Sequence, residues 1–255
     1  MIYFDAEKHM YYDEHGYILD SPSKIMRHYK KTFPRYEAAK NKARKHGGTV
    51  QYWLDKWDEI SDTALDRGTR IHNEKEEIDF LRGNGKHKAR ILPVKNAELF
   101  QVKDLSVLPD GIYPEMVIWN EGWRISGKAD RVVITTDNGK RVADIDDYKT
   151  SRVIRKVSDE WNGEFKMMKR PIQHVMDSNY WHYALQLSIY MYILETHGFK
   201  PGTLRIIHIP HPFQGVNGEW LQPPELAIEV PYMKKEVLEI LKHYDTIRTF
   251  DKIKL

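Results

Sequence analysis

The feature that most restricts the fold is a change of hydrophobic period near the middle of the 255-residue sequence. From Ile112 apolar residues recur at every second position, so Tyr113 to Trp119, Trp123 to Thr135 and Arg141 to Lys149 read as three antiparallel strands. Asp137-Asn138-Gly139-Lys140 joins the last two. Its central pair tolerates positive φ, which a tight hairpin demands. Helical spacing flanks this meander. Thr49 is placed to cap a long helix whose apolar positions (Tyr52, Trp53, Trp57, Ile60, Ala64, Leu65) continue to about Leu81, with Gly83-Asn84-Gly85 as its stop. A second helix runs from about Ser178 to His197, closed by Gly198 and Pro201. Leu204 to Ile209 and Leu226 to Val230 follow as strands, and Lys234 to Phe250 as a terminal helix. Helix, meander, helix, strand predicts an α/β sandwich with a mixed sheet. Ahead of it, Ile2-Tyr3-Phe4, Met10-Tyr11-Tyr12 and Tyr17-Ile18-Leu19 suggest a hairpin, and Asp20-Ser21-Pro22-Ser23 the start of a helix.

A content of 41% hydrophobic and 12% aromatic residues excludes intrinsic disorder. No apolar run approaches the ~18 residues of a membrane span, and the first residues lack a signal-peptide pattern, so a soluble intracellular protein is expected. Cysteine is absent, which rules out disulfides, thiol nucleophiles, thiolate zinc sites and conventional iron–sulfur clusters. The net charge is only +3, yet Lys24 to His46 holds nine Lys and Arg against the single Glu37. A basic arm on an acidic body suits a polyanionic partner, and equally a solvated helix face.

The hairpin also brings chemistry together. Asp147 and Lys149 are two apart on a strand and so share a face. Asp130 lies across the Asn138-Gly139 turn, where folding places it beside Asp147. Two adjacent carboxylates repel, and one must protonate unless a cation stands between them. Oxygen ligands favour a hard ion such as Mg²⁺ or Mn²⁺. Alone, an Asp-x-Lys triplet is more often an exposed salt bridge. Here it follows Gly127-x-x-Asp130 and Gly68-Thr69-x-x-His72, and precedes Gln186-x-x-x-Tyr190.

That ordered set (G-T-x-x-H, G-x-x-D, D-x-K-T, Q-x-x-x-Y) resembles the RecB-type branch of the PD-(D/E)xK nucleases, including stand-alone phage-type members and the mitochondrial genome maintenance exonuclease. The resemblance spans about residues 1 to 210. It implies a PD-(D/E)xK restriction-endonuclease-like α/β fold with an αβββαβ core, a mixed central sheet and N-terminal helical additions. By that resemblance Asp130 and Asp147 are acidic metal ligands, the Tyr148 carbonyl another, and His72 reaches the same ion from its helix. Glu115 matches an additional acid of some members more loosely. Lys149 orients the attacking water and stabilises charge on the phosphorane. Gln186 and Tyr190, i and i+4 on one helix face, hold the motif strand and contact the nucleic-acid backbone, with Thr150 completing the motif. Some relatives carry a four-cysteine iron–sulfur cluster, which this chain cannot build. Asp144 and Asp146 depart from the usual apolar motif strand, although they fall on the face opposite Asp147.

These readings imply a single nuclease domain over residues 1–255, with a hairpin and basic arm (1–48), the core (49–210) and a C-terminal strand and helix (211–255). The expected activity is divalent-metal-dependent exonucleolytic cleavage of DNA at single-stranded ends, in repair, recombination or phage DNA processing. Alternatives are a site- or structure-specific endonuclease of the same fold and a binding module without turnover. Arg152, Arg155 and Lys156, directly after the motif strand, are candidate phosphate guides. Tyr180, Trp181, Tyr183 and Tyr192 are expected to be core rather than base-stacking platforms.

Overall fold

In chain order, the computed structural model opens on a small antiparallel sheet of β1 (Ile2–Asp5), β2 (Met10–Asp13) and β3 (Ile18–Leu19). The structure describes residues 2–5, 8, 10–82, 104–161 and 163–253. Helix α1 (Pro22–Tyr29) starts as its residues dictate, the Ser21 hydroxyl accepting the Lys24 N–H at 3.2 Å and proline filling the first turn. It buries Ile25, Met26 and Tyr29. Helix α2 (Arg35–His46) buries only Ala39. Helix α3 (Val50–Arg82) runs 33 residues from its cap, where Thr49 Oγ1 accepts the Tyr52 N–H at 3.0 Å. The expected stop at Gly83-Asn84-Gly85 lies outside the described residues.

The alternating segments become β4 (Gly111–Asn120), β5 (Ile125–Asp137) and β6 (Lys140–Lys149). Asn138 and Gly139 carry φ of 49° and 72° at the hairpin between β5 and β6. The segment after β6 holds a short hairpin, β7 (Glu160–Trp161) with β8 (Glu164–Phe165), which no sequence pattern announces. Helix α4 (Asn179–Thr196) is apolar on most sides and accordingly buried, and Gly198 turns the chain away at φ 87°. Strand β9 (Lys200–His208) begins four residues before the apolar run because its first residues pair with Val142 and Ala143. A second hairpin, β10 (Phe213–Gln214) and β11 (Trp220–Leu221), precedes β12 (Leu226–Val230) and α5 (Lys234–Ile253).

The central sheet has the order β12-β9-β6-β5-β4. All neighbours are antiparallel except β6 and β9, which α4 connects as a βαβ crossover. This is the expected mixed-sheet α/β architecture. Asp146 is 3% exposed, yet Arg131 and Arg205, its register partners on β5 and β9, both form ion pairs with it. The Asp144 carboxylate accepts the Thr203 N–H at 2.6 Å. The two acids that interrupt the apolar strand are thus matched across strands, which lets that face be buried. No helix among the described residues is long and apolar enough to cross a membrane.

Candidate active site

The register of β5 on β6 sets the site. Arg131 pairs with Asp146, so one step further Asp130 comes beside Asp147 where the two strands end their pairing. The Tyr148 N–H donates to Asp130 Oδ2 at 2.8 Å and fixes that carboxylate. From α3, His72 Nδ1 lies 3.5 Å from Asp130 Oδ2 and 4.0 Å from Glu115 Oε1. His72, Glu115 and Asp130 each offer a ligand atom within 4.8 Å of the others. Glu115 reaches this position because β4 is kinked there. Its φ is 47°, between the register pairs Pro114–Arg131 and Met116–Ala129. A non-glycine residue in the left-handed region is costly, and such strain collects at functional sites.

Asp147 and Lys149 form the second half of the constellation. Asp147 is 1% exposed, and Lys149 Nζ lies 2.6 Å from its Oδ2 and 5.0 Å from the ring centroid of Tyr183. Asp147 Oδ1 is buried without a hydrogen-bond partner. A carboxylate oxygen so placed has lost its water with no donor in return, which a cation would remedy.

The electrostatics agree with that geometry. Burial, then repulsion from Asp147, pushes the Asp130 carboxyl up to about 7, against the pull of Lys149 and His72. Burial opposes the charge of His72, but Glu115 and Asp130 outweigh it and raise its pKa. Glu115 is held below the usual carboxylate range, because His72 and Lys128 overcome its desolvation. The Lys128 ammonium stands 2.7 Å from Glu115 Oε2. Burial likewise works against Lys149, yet Asp147 and Asp130 raise it, so it stays protonated. Two carboxylates and an imidazole, with a buried carboxylate oxygen still lacking a donor, fit a hard divalent cation.

A cleft of about 590 Å³ opens on this site, walled by α3 (Gly68, Thr69, His72, Asn73), Glu115, Asp130, Gln186 and Tyr190 among others. Gln186 Nε2 donates to the Tyr190 hydroxyl at 3.4 Å. The Tyr190 ring abuts Gly127 of β5, where an added Cβ would fall 3.0 Å from its Cε1 and 2.9 Å from Pro22 Cδ. The glycine of G-x-x-D therefore admits both α1 and α4 to the strand. Gly68 is less constrained: a Cβ there would meet only Thr150 Oγ1, at an ordinary 3.6 Å. Close helix approach does not require glycine at that position.

Asp147, Tyr148, Lys149 and Thr150 do not line this cleft, nor do Arg152, Arg155 and Lys156. Arg155 pairs instead with Asp159 at 3.2 Å, and Lys156 caps the Tyr180 ring at 4.8 Å. Tyr180 is core, with Trp181, Tyr183 and Tyr192 packed against it.

One contributor has no motif at all. Arg67 of α3 donates to the carbonyls of Thr150, Ile209 and Pro210 at 2.9, 3.2 and 2.9 Å, clamping the helix that carries His72 to the ends of β6 and β9. A lone arginine one residue before Gly68 looks in the sequence like any exposed helical cation. A family model described as the PD-(D/E)XK nuclease superfamily matches residues 19–251. No curated protein matches the chain.

Proposed function

The chain belongs to the PD-(D/E)XK nuclease superfamily, and from that premise we propose a metal-dependent DNA exonuclease of the RecB type acting on single-stranded ends, with residues 1–255 as one nuclease domain. We assign it to DNA repair, recombination or phage DNA processing. The observation that supports the reading best is the convergence of His72, Glu115 and Asp130 beside the Asp147–Lys149 pair.

In this reading His72, Glu115, Asp130, Asp147 and the Tyr148 carbonyl would hold Mg²⁺ or Mn²⁺. Such an ion neutralises charge on the scissile phosphate and makes water more acidic. Lys149, kept protonated by its two acidic neighbours, orients the water and faces the negative charge that builds on the phosphoryl oxygens. Asp147 holds the Lys149 ammonium in place at 2.6 Å. Gln186 and Tyr190 form the cleft wall against which the strand backbone lies.

Oligonucleotides labelled at either end, with one end blocked, test activity, direction and end requirement together. Degradation from a free end with Mg²⁺ or Mn²⁺, abolished by EDTA, supports the proposal. Nicking of a covalently closed circle would assign an endonuclease instead, and cutting that survives EDTA would reject metal dependence.

A further inference from the structure

The strongest feature outside the cleft is the basic helical hairpin of α2 and the first turns of α3. Helix α2 has Arg35, Lys40, Lys42, Arg44, Lys45 and His46 against Glu37, and it buries only Ala39. Aromatic side chains line both ends of this hairpin without entering the core: Phe33 (58% exposed) and Tyr36 (61%) at the start of α2, and Tyr52 (51%) at the turn, with Trp53 and Trp57 half-buried. A globular chain gains nothing by leaving so much aromatic area wet, unless something covers it.

These rings are held in place. The Trp53 indole N–H donates to the Gly47 carbonyl at 2.9 Å, and Tyr52 packs edge-on to Trp53 at 5.4 Å between centroids. Lys42 and Lys56 lie over the Trp53 ring at 5.7 and 5.5 Å. Lys42, Tyr52 and Trp53, with His46, Gly47 and Gly48, border a recess of about 420 Å³. Two acids nearby are already engaged: Asp58 pairs across the helices with Arg35 at 2.6 Å, and Asp55 accepts from Gln51. Cations above fixed aromatic faces offer phosphate neutralisation and base stacking at one spot, the combination that binds unpaired nucleotides. A duplex, whose bases are already stacked, would use only the charge.

We propose that the recess bordered by Lys42, Tyr52 and Trp53, with Lys56 over the same ring, is an accessory site for single-stranded nucleic acid, feeding the cleft along α3. This rests on the nuclease reading for its purpose but not for its detection. Trp53 and His72 stand on the same helix nineteen residues apart, about 28 Å at ~1.5 Å per residue. That is roughly eight nucleotides at the ~3.4 Å rise of a stacked strand, and fewer for an extended one. A strand of two or three nucleotides cannot occupy recess and cleft together.

The test is fluorescence anisotropy of labelled oligo(dT), about 3 and about 20 nucleotides long, on the full chain in EDTA, with a duplex of the longer length as control. Trp53→Ala and, because Trp53 also braces the interhelical turn, the separate exposed variant Lys42→Ala are compared with wild type. The expected result is about tenfold weaker binding of the long strand by Trp53→Ala and a smaller loss by Lys42→Ala. The short strand, which reaches only one of the two sites at a time, loses less than the long one, and the duplex changes little with Trp53→Ala. Equal affinity of wild type and both variants for the long strand would overturn the site. So would a loss shared equally by all three probes. A protein that shows the selective loss yet cleaves nothing with any divalent ion would keep this site and fail as a nuclease.

Discussion

At the scale of single residues, Asp130 carries the tension of the site. Its carboxyl is pushed up to about 7, so without metal the native state holds a proton that the unfolded chain gives up near pH 4. Native protein then binds more protons than unfolded across that window, and this group's contribution to stability declines as pH rises from about 4 to 7. Asp130→Asn is therefore expected to stabilise the protein in EDTA at pH 8 by on the order of 2–4 kcal/mol, seen as a higher melting temperature, while abolishing the response to Mn²⁺. Scanning calorimetry with and without the ion checks both halves. In the wild type, stabilisation by Mn²⁺ should grow between pH 6 and pH 8, as proton and metal compete for the same oxygens. Lys149→Met, which strips the buried Asp147 of its ion partner, should cost about 3–5 kcal/mol of stability and lower turnover by about 10²–10³-fold, read from a denaturant titration and from initial rates on a labelled single strand. Gly127→Ala meets Pro22 and Tyr190 at about 3 Å, and should cost about 1–3 kcal/mol in a denaturant titration.

Elements explain why a site so scattered in sequence closes at all. The β5–β6 hairpin was legible because Asn138-Gly139 admits the positive φ it needs, and its register then pairs the Asp130 and Asp147 ends. The long helix was legible from the Thr49 cap and its apolar spacing. What the strand pattern hid was the kink at Glu115, since a φ of 47° leaves no mark in the alternation around it. Equally hidden was the use of Arg67 as a clamp, because its three acceptors are main-chain carbonyls that any residues would supply. Arg152, Arg155 and Lys156 follow the motif strand in sequence but lie outside the lining of the cleft, since position along the chain does not say where it turns after the strand. Removing the clamp tests the element directly. Arg67→Ala should reduce turnover by about tenfold and stability by about 2 kcal/mol, and Arg67→Lys should restore little, since an ammonium cannot reproduce the planar fork.

Over the whole molecule, the fold brings two kinds of surface onto one helix. Helix α3 presents His72 to the acids at the sheet's end and carries Tyr52 and Trp53 beside the basic face of α2. The sheet needs the Arg131–Asp146–Arg205 ladder to stay buried on the face opposite Asp147, so charge is matched on one side and left crowded on the other. The account therefore hinges on that crowding being relieved by a divalent cation that the catalytic step requires. The most direct measurement is cleavage of an end-labelled single strand by EDTA-stripped protein as Mg²⁺ or Mn²⁺ is returned, wild type beside Asp130→Ala. A saturable recovery by wild type and none by the variant is the predicted result. Undiminished cleavage by Asp130→Ala, or none by wild type at any metal concentration, would contradict it.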